Sequence, residues 1–151
     1  MNESPLDLSV RRWGMGCHLS GLLAIVVCSV APIPFLGVLF PYLVWSLGRD
    51  RHPFIDQQGR EAINFQLSMT IYLLIGVILW IFLAFTTCMV AITGASPNQN
   101  IFGAAFGWLM VLGVAVLVLF AGFMIAVISF AAVKASRGQS YRYPFRMQFL
   151  Q

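Results

Sequence analysis

Every charged side chain of this 151-residue chain, nine basic and five acidic, lies in one of three short segments: 1–12, 49–61 and 134–146. The stretches between them, 13–48 and 62–133, contain no Asp, Glu, Lys or Arg. About 20 apolar helical residues cross the ~30 Å hydrocarbon core of a bilayer. The first stretch is therefore too long for one span, and the second is too long for two minimal ones. Folded as two hairpins, both stretches return every charged segment to the same face of a membrane. The expected fold class is all-α, a polytopic membrane protein with four transmembrane helices in two hairpins.

Composition agrees with that reading. The chain is 60% hydrophobic and 9% charged, with a mean hydropathy of +0.85, whereas soluble domains carry about 25% charged residues. A β-barrel would show segments of about ten residues with alternating hydrophobicity, and none is visible. The formal charge of +4 is assigned to flanks of membrane spans rather than to a nucleic-acid surface. Cys17, Cys28 and Cys88 all fall in apolar stretches, without paired spacing, and read as packed thiols. Glu3 and Asp7 precede a run too long for a signal-peptide core, so insertion without a cleaved signal is expected.

The helices are expected at about 12–30, 35–48, 57–92 and 101–135, with an interfacial tail over 139–151, all in one transmembrane domain spanning 1–151. Two prolines spaced by one, Pro32 and Pro34, turn the first hairpin. The short second helix, with Pro41 near its middle, is expected to kink, to thin the bilayer locally or to be a re-entrant element sheltered by its neighbours. The polar, uncharged run at 93–100 turns the second hairpin. With four helices all nine basic residues face one side, so the positive-inside rule makes both termini cytoplasmic. The membrane expected is a bacterial plasma (inner) membrane or an equivalent such as the thylakoid. A three-helix arrangement would put Arg11 and Arg12 opposite the other basic residues and is rejected.

The most informative string is PFIDQQGREAINFQ, at 53–66. Asp56 is expected to N-cap the third helix. Gln57, Glu61, Asn64 and Ser68 then follow steps of four, three and four, forming one polar stripe at its cytoplasmic entry. Such groups face protein or a watery recess rather than lipid. The stripe has two readings: a polar lining for a conduit or partner site, or a structural contact in which Glu61 pairs with an Arg and Asn64 bonds a neighbouring helix.

Small residues at Gly16, Ser20 and Gly21 in helix one, and at Gly103 and Gly107 in helix four, are candidate close-packing positions. His18, the lone histidine within a span, reads as a hydrogen-bonded core residue rather than a ligand, and His52 as a solvated loop residue. After helix four, Tyr141 and Tyr143 alternate with Arg142, and Arg146 continues the basic side. An extended chain would put aromatic and basic side chains on opposite faces. That suits a tail at headgroup level, or one docked onto the 49–61 loop with its acids.

There is no Gly-rich phosphate loop, no metal-ligand spacing and no nucleophile–base set. No enzymatic activity, cofactor or metal is expected. The partners expected are the lipid bilayer and other membrane proteins or further copies of the chain, with no nucleic acid.

HLSGL (18–22), PYLVW (41–45), FIDQQGREAINFQ (54–66) and KASRGQSYRYPF (134–145) together resemble small bacterial membrane proteins grouped with the Tic-twenty component of the chloroplast inner-envelope import machinery. The resemblance covers about residues 12–149 and implies a four-helix bundle with cytoplasmic termini. It implies a role in protein translocation or membrane-protein handling. The alternatives are a small accessory subunit packed against a larger membrane complex and an oligomeric channel for ions or small solutes.

Overall fold

The structure is a computed structural model that describes residues 6–30, 33–93 and 99–150. The expected turns at Pro32 and at 94–98 fall outside the described residues. Four α-helices form: α1 (Leu8–Val30), α2 (Leu36–Gly48), α3 (Pro53–Ile92) and α4 (Gln99–Ser136). A 3₁₀ turn over Arg49–Arg51 links α2 to α3. The described chain is thus all-helical, ending in an irregular tail.

At 40 and 38 residues, α3 and α4 are each close to 60 Å long, about twice the hydrocarbon thickness. Both are apolar enough to cross a membrane. By contrast α2, with 13 residues, is only about 20 Å long. It contains buried Pro41, and it starts after Phe35, which sits at φ 65°. A non-glycine residue in the left-handed region is a costly way to enter a helix, so packing must hold this corner.

Two expectations at the start of α3 are corrected. The helix begins at Pro53 instead of 57, and Asp56 is not its cap. Proline suits the first helical position, where its fixed φ is already helical and its missing N–H would have had no partner. Capping falls to His52, whose backbone is extended. Its Nδ1 accepts the Phe54 N–H at 3.1 Å, and its carbonyl accepts that of Ile55 at 2.9 Å. His52 is therefore a capping residue, not a free loop side chain. Asp56 instead lies in the first turn, where a carboxylate meets the positive end of the helix dipole.

The chain divides into two compact units, 1–71 with 123–151, and 72–122. All charged residues fall in the first unit and none in the second. The core of the first unit gathers Cys17, Trp45, Ile55, Ala62 and Ile63, with Trp13 and Val44 packed against it. From α4, Met124, Ile128, Ala131 and Ala135 are buried, a spacing that places them on one helix face. Glycine permits the closest approach at Gly59. A Cβ there would lie 2.1 Å from Cδ1 of Trp45.

In the second unit, Trp80 packs over Gly113, while Ile78, Phe82, Leu112 and Leu119 are all more than half exposed. A helix surface that is apolar on nearly every side matches hydrocarbon as solvent.

Of the small residues expected at helix contacts, a Cβ added at Gly16 would lie 3.7 Å from Val44 and one at Gly21 3.4 Å from Ile128. Ser20 is buried, and its hydroxyl donates back to the Cys17 carbonyl at 2.8 Å. At Gly103 and Gly107 a Cβ would meet nothing within 4 Å. Cys17 is buried and Cys88 half-buried, both as free thiols. The Cys28 side chain lies outside the described residues.

Candidate functional site

The polar stripe of α3 and the C-terminal tail meet in the first unit. Gln57 remains exposed, whereas Glu61, Asn64 and Ser68 are buried. What buries them is the tail. Nε of Arg146 lies 2.9 Å from Oε2 of Glu61, with both side chains about nine-tenths covered. The Tyr143 backbone N–H also donates to the Glu61 carboxylate, and Arg142 stands near enough to add attraction. A desolvated carboxylate is costly unless paired, and here Arg146 supplies the pair, while Oε2 itself meets no hydrogen bond of good geometry.

Asn64 spends its amide on the tail backbone. Oδ1 accepts the N–H groups of Phe149 at 3.1 Å and Leu150 at 2.9 Å. Nδ2 donates to the Leu150 carbonyl at 3.0 Å. One turn on, Ser68 Oγ accepts the Met147 N–H at 2.7 Å and donates to the Asn64 carbonyl at 2.6 Å. The partner expected for Asn64, a neighbouring helix, is corrected. It is instead a stretch of irregular chain with no ladder of its own, whose backbone groups must be satisfied locally.

The tail is not the evenly alternating strand expected. A turn at 144–145 puts Phe145 at φ 59°, which breaks the two-residue period. Arg146 therefore swings inward to Glu61, while Phe145 and Arg142 point outward. Tyr143 is driven into the unit. Its ring stacks on Phe65 with centroids 4.0 Å apart, and Tyr141 meets it edge-on at 5.2 Å. Its hydroxyl donates to Nδ1 of His18 at 2.8 Å, and Nε2 of His18 donates to the Gln58 side-chain carbonyl at 2.9 Å. That network fixes one neutral tautomer for the imidazole. Burial holds the Tyr143 phenol well above its ordinary pKa. Tyr141, nearer the surface, is raised by the same cause.

Gln58 and Phe65 complete this node and were missed in the sequence. They are seven apart, two helical turns, so both lie on one face of α3. An amide and an aromatic on one face match no catalytic pattern. Trp45 was also unassigned beyond its string. Its Nε1–H donates to Asp56 at 2.9 Å, and Asp56 pairs with Arg60 at 2.6 Å.

Two open grooves border these contacts. One, of about 370 Å³, is lined by Trp45, Arg49, Asp50, Asp56, Arg60 and Leu150. The other, of about 240 Å³, runs past Gln57, Arg60, Glu61, Arg142, Arg146 and Gln148. Among the described residues, no three His, Cys, Asp or Glu side chains come together in a geometry suited to a metal ion. The carboxylates in the grooves face guanidinium groups.

A family model for the magnetosome magnetite crystal formation proteins matches residues 9–150. No curated protein and no solved structure matches the chain. The family match overturns the resemblance to Tic-twenty relatives. The strings that carried it, FIDQQGREAINFQ and KASRGQSYRYPF, fall in the clamp between α3 and the tail.

Proposed function

The chain belongs to the magnetosome magnetite crystal formation protein family, and we propose that it is a non-enzymatic membrane protein acting in magnetite crystal formation. We further propose that its four helices thread the membrane as two hairpins, with both termini cytoplasmic, in a magnetosome membrane or a bacterial inner membrane. The observation that carries this reading is the segregation of charge. Every charged residue belongs to the unit holding α1, α2 and the tail, and the 72–122 unit has none. Under the positive-inside rule those charged segments are cytoplasmic. The 72–122 unit offers a mineral no carboxylates, so the chain acts on the crystal through membrane and protein contacts of its charged unit.

Deleting the gene in a magnetite-forming bacterium and measuring crystals by electron microscopy tests the reading. Crystals of altered size or shape, restored by the full chain but not by residues 1–138, are expected. Unaltered crystals in the deletion strain would sink it. Orientation is tested separately with Gln139→Cys in a background lacking the native cysteines. Labelling of intact cells by an impermeant maleimide would reverse the topology.

A second reading, an accessory subunit of a larger membrane assembly, is favoured by one observation. Gly103 and Gly107 have open space before them, as a helix face awaiting a close partner would. Stoichiometric co-purification with another membrane protein, lost on Gly107→Leu, is its test.

A further inference from the structure

The two grooves beside α3 differ in charge balance. In the larger, Arg49 and Arg60 face Asp50 and Asp56, so attraction is spent inside the groove. In the smaller, Arg60, Arg142 and Arg146 face only Asp56 and Glu61. Asp56 is held by Arg60 at 2.6 Å and Glu61 by Arg146 at 2.9 Å. Arg142 is exposed on the wall of the same groove. A metal cation would have to displace a guanidinium from each carboxylate. An anion meets an excess guanidinium, flanked by the side-chain amides of Gln57 and Gln148.

We propose that this groove binds the phosphate of an anionic phospholipid headgroup. The residues after Arg146 indicate the lipid rather than free phosphate. Met147, Phe149 and Leu150 are apolar and partly exposed, and Leu150 lines the groove itself. A charged recess with an apolar rim fits a molecule with a phosphate head and an acyl chain, whereas free phosphate would use the recess alone. The clamp at Asn64 and Ser68 holds that rim in place. The site is thus made by the tail as much as by α3.

Native mass spectrometry of the full chain, released from micelles doped with phosphatidylglycerol or phosphatidylcholine, tests this. One retained phosphatidylglycerol is expected, in preference to phosphatidylcholine. Arg142→Gln should weaken retention about fivefold, as loss of one interfacial cation does, and Arg142→Glu should weaken it further. Arg12→Gln removes an exposed cation outside the groove and should change nothing. Equal losses from Arg12→Gln and Arg142→Gln would mean diffuse attraction and overturn the site. So would equal retention of the two lipids. Displacement of the lipid by millimolar inorganic phosphate would overturn the choice of a lipid ligand.

Discussion

The Tyr143 hydroxyl reaches Nδ1 of His18 at 2.8 Å, joining the tail to the middle of α1 through a buried hydrogen bond. Removing only that hydroxyl leaves a buried imidazole nitrogen unpaired. Tyr143→Phe should therefore cost about 1–3 kcal/mol. Tyr143→Ala also loses the stack on Phe65 and opens a cavity, and should cost about 3–5 kcal/mol. Thermal unfolding in micelles, followed by tryptophan fluorescence, checks both. Equal losses for the two substitutions would mean that the stack contributes nothing.

The same phenol predicts an alkaline weakness. Its pKa is raised in the folded state by burial, while in the unfolded chain it titrates near its ordinary value of about 10. Below that pH both states hold the proton, and the contribution to stability is complete. As pH rises through and beyond about 10, the unfolded state releases a proton that the folded state keeps, so stability falls. Tyr143→Phe should show a shallower decline over that window. Parallel pH profiles for the two proteins would refute the assignment.

The tail's attachment to α3 predicts a local effect. Asn64→Leu removes one acceptor and one donor that together hold Phe149 and Leu150. Amide exchange in the C-terminal peptide should speed up roughly tenfold or more, since each such bond is worth on the order of 1 kcal/mol. Asn64→Asp keeps the acceptor and loses only the donation to the Leu150 carbonyl. It should fall between wild type and Asn64→Leu. Exchange-resolved mass spectrometry reads both, and unchanged protection in Asn64→Leu would show the clamp to be idle.

How much of this was legible in the sequence depends on range. The charge-free stretches announced the long apolar helices, because hydrocarbon imposes length and composition directly. The stripe Glu61, Asn64, Ser68 was visible because helical period alone puts those residues on one face. Docking of the tail onto the acids of the third helix's entry, with an Arg on Glu61, was one of the placements the sequence left open, and Arg146 takes it. The backbone contacts of Met147, Phe149 and Leu150 were not visible, because the tail reaches Asn64 and Ser68 through a turn at Phe145 whose positive φ no local pattern announces. Capping at α3 was misplaced because Asp56 is a residue type that caps helices, whereas Pro53, suited to the first helical position, starts the helix earlier.

Glu61 and Arg146 should behave as a unit. Glu61→Gln or Arg146→Gln alone strips a partner from a charge that is about nine-tenths covered, an imbalance that typically costs about 3–5 kcal/mol when the pair is buried. The double substitution leaves no lone charge and should cost less than the sum, with a coupling of about 1–3 kcal/mol. Unfolding midpoints for the four proteins of the cycle measure it. Additive losses would mean that the two groups do not sense each other.

The glycines separate packing within one chain from packing between chains. At Gly59 all three atoms that a Cβ would meet first belong to Trp45, the nearest at 2.1 Å. The indole cannot retreat freely, because its Nε1–H is committed to Asp56 at 2.9 Å. Gly59→Ala should thus destabilise the folded chain by at least the ~1–3 kcal/mol typical of overpacking. At Gly107 a Cβ meets nothing within 4 Å, and alanine favours a helix over glycine by about 1 kcal/mol. Gly107→Ala should therefore leave the monomer's melting temperature unchanged or raise it. If a second copy seats on that face, the added methyl blocks close approach, and energy transfer between labelled chains in liposomes should fall. A lowered melting temperature for Gly107→Ala in monomeric micelles would instead reveal an intramolecular contact at that glycine.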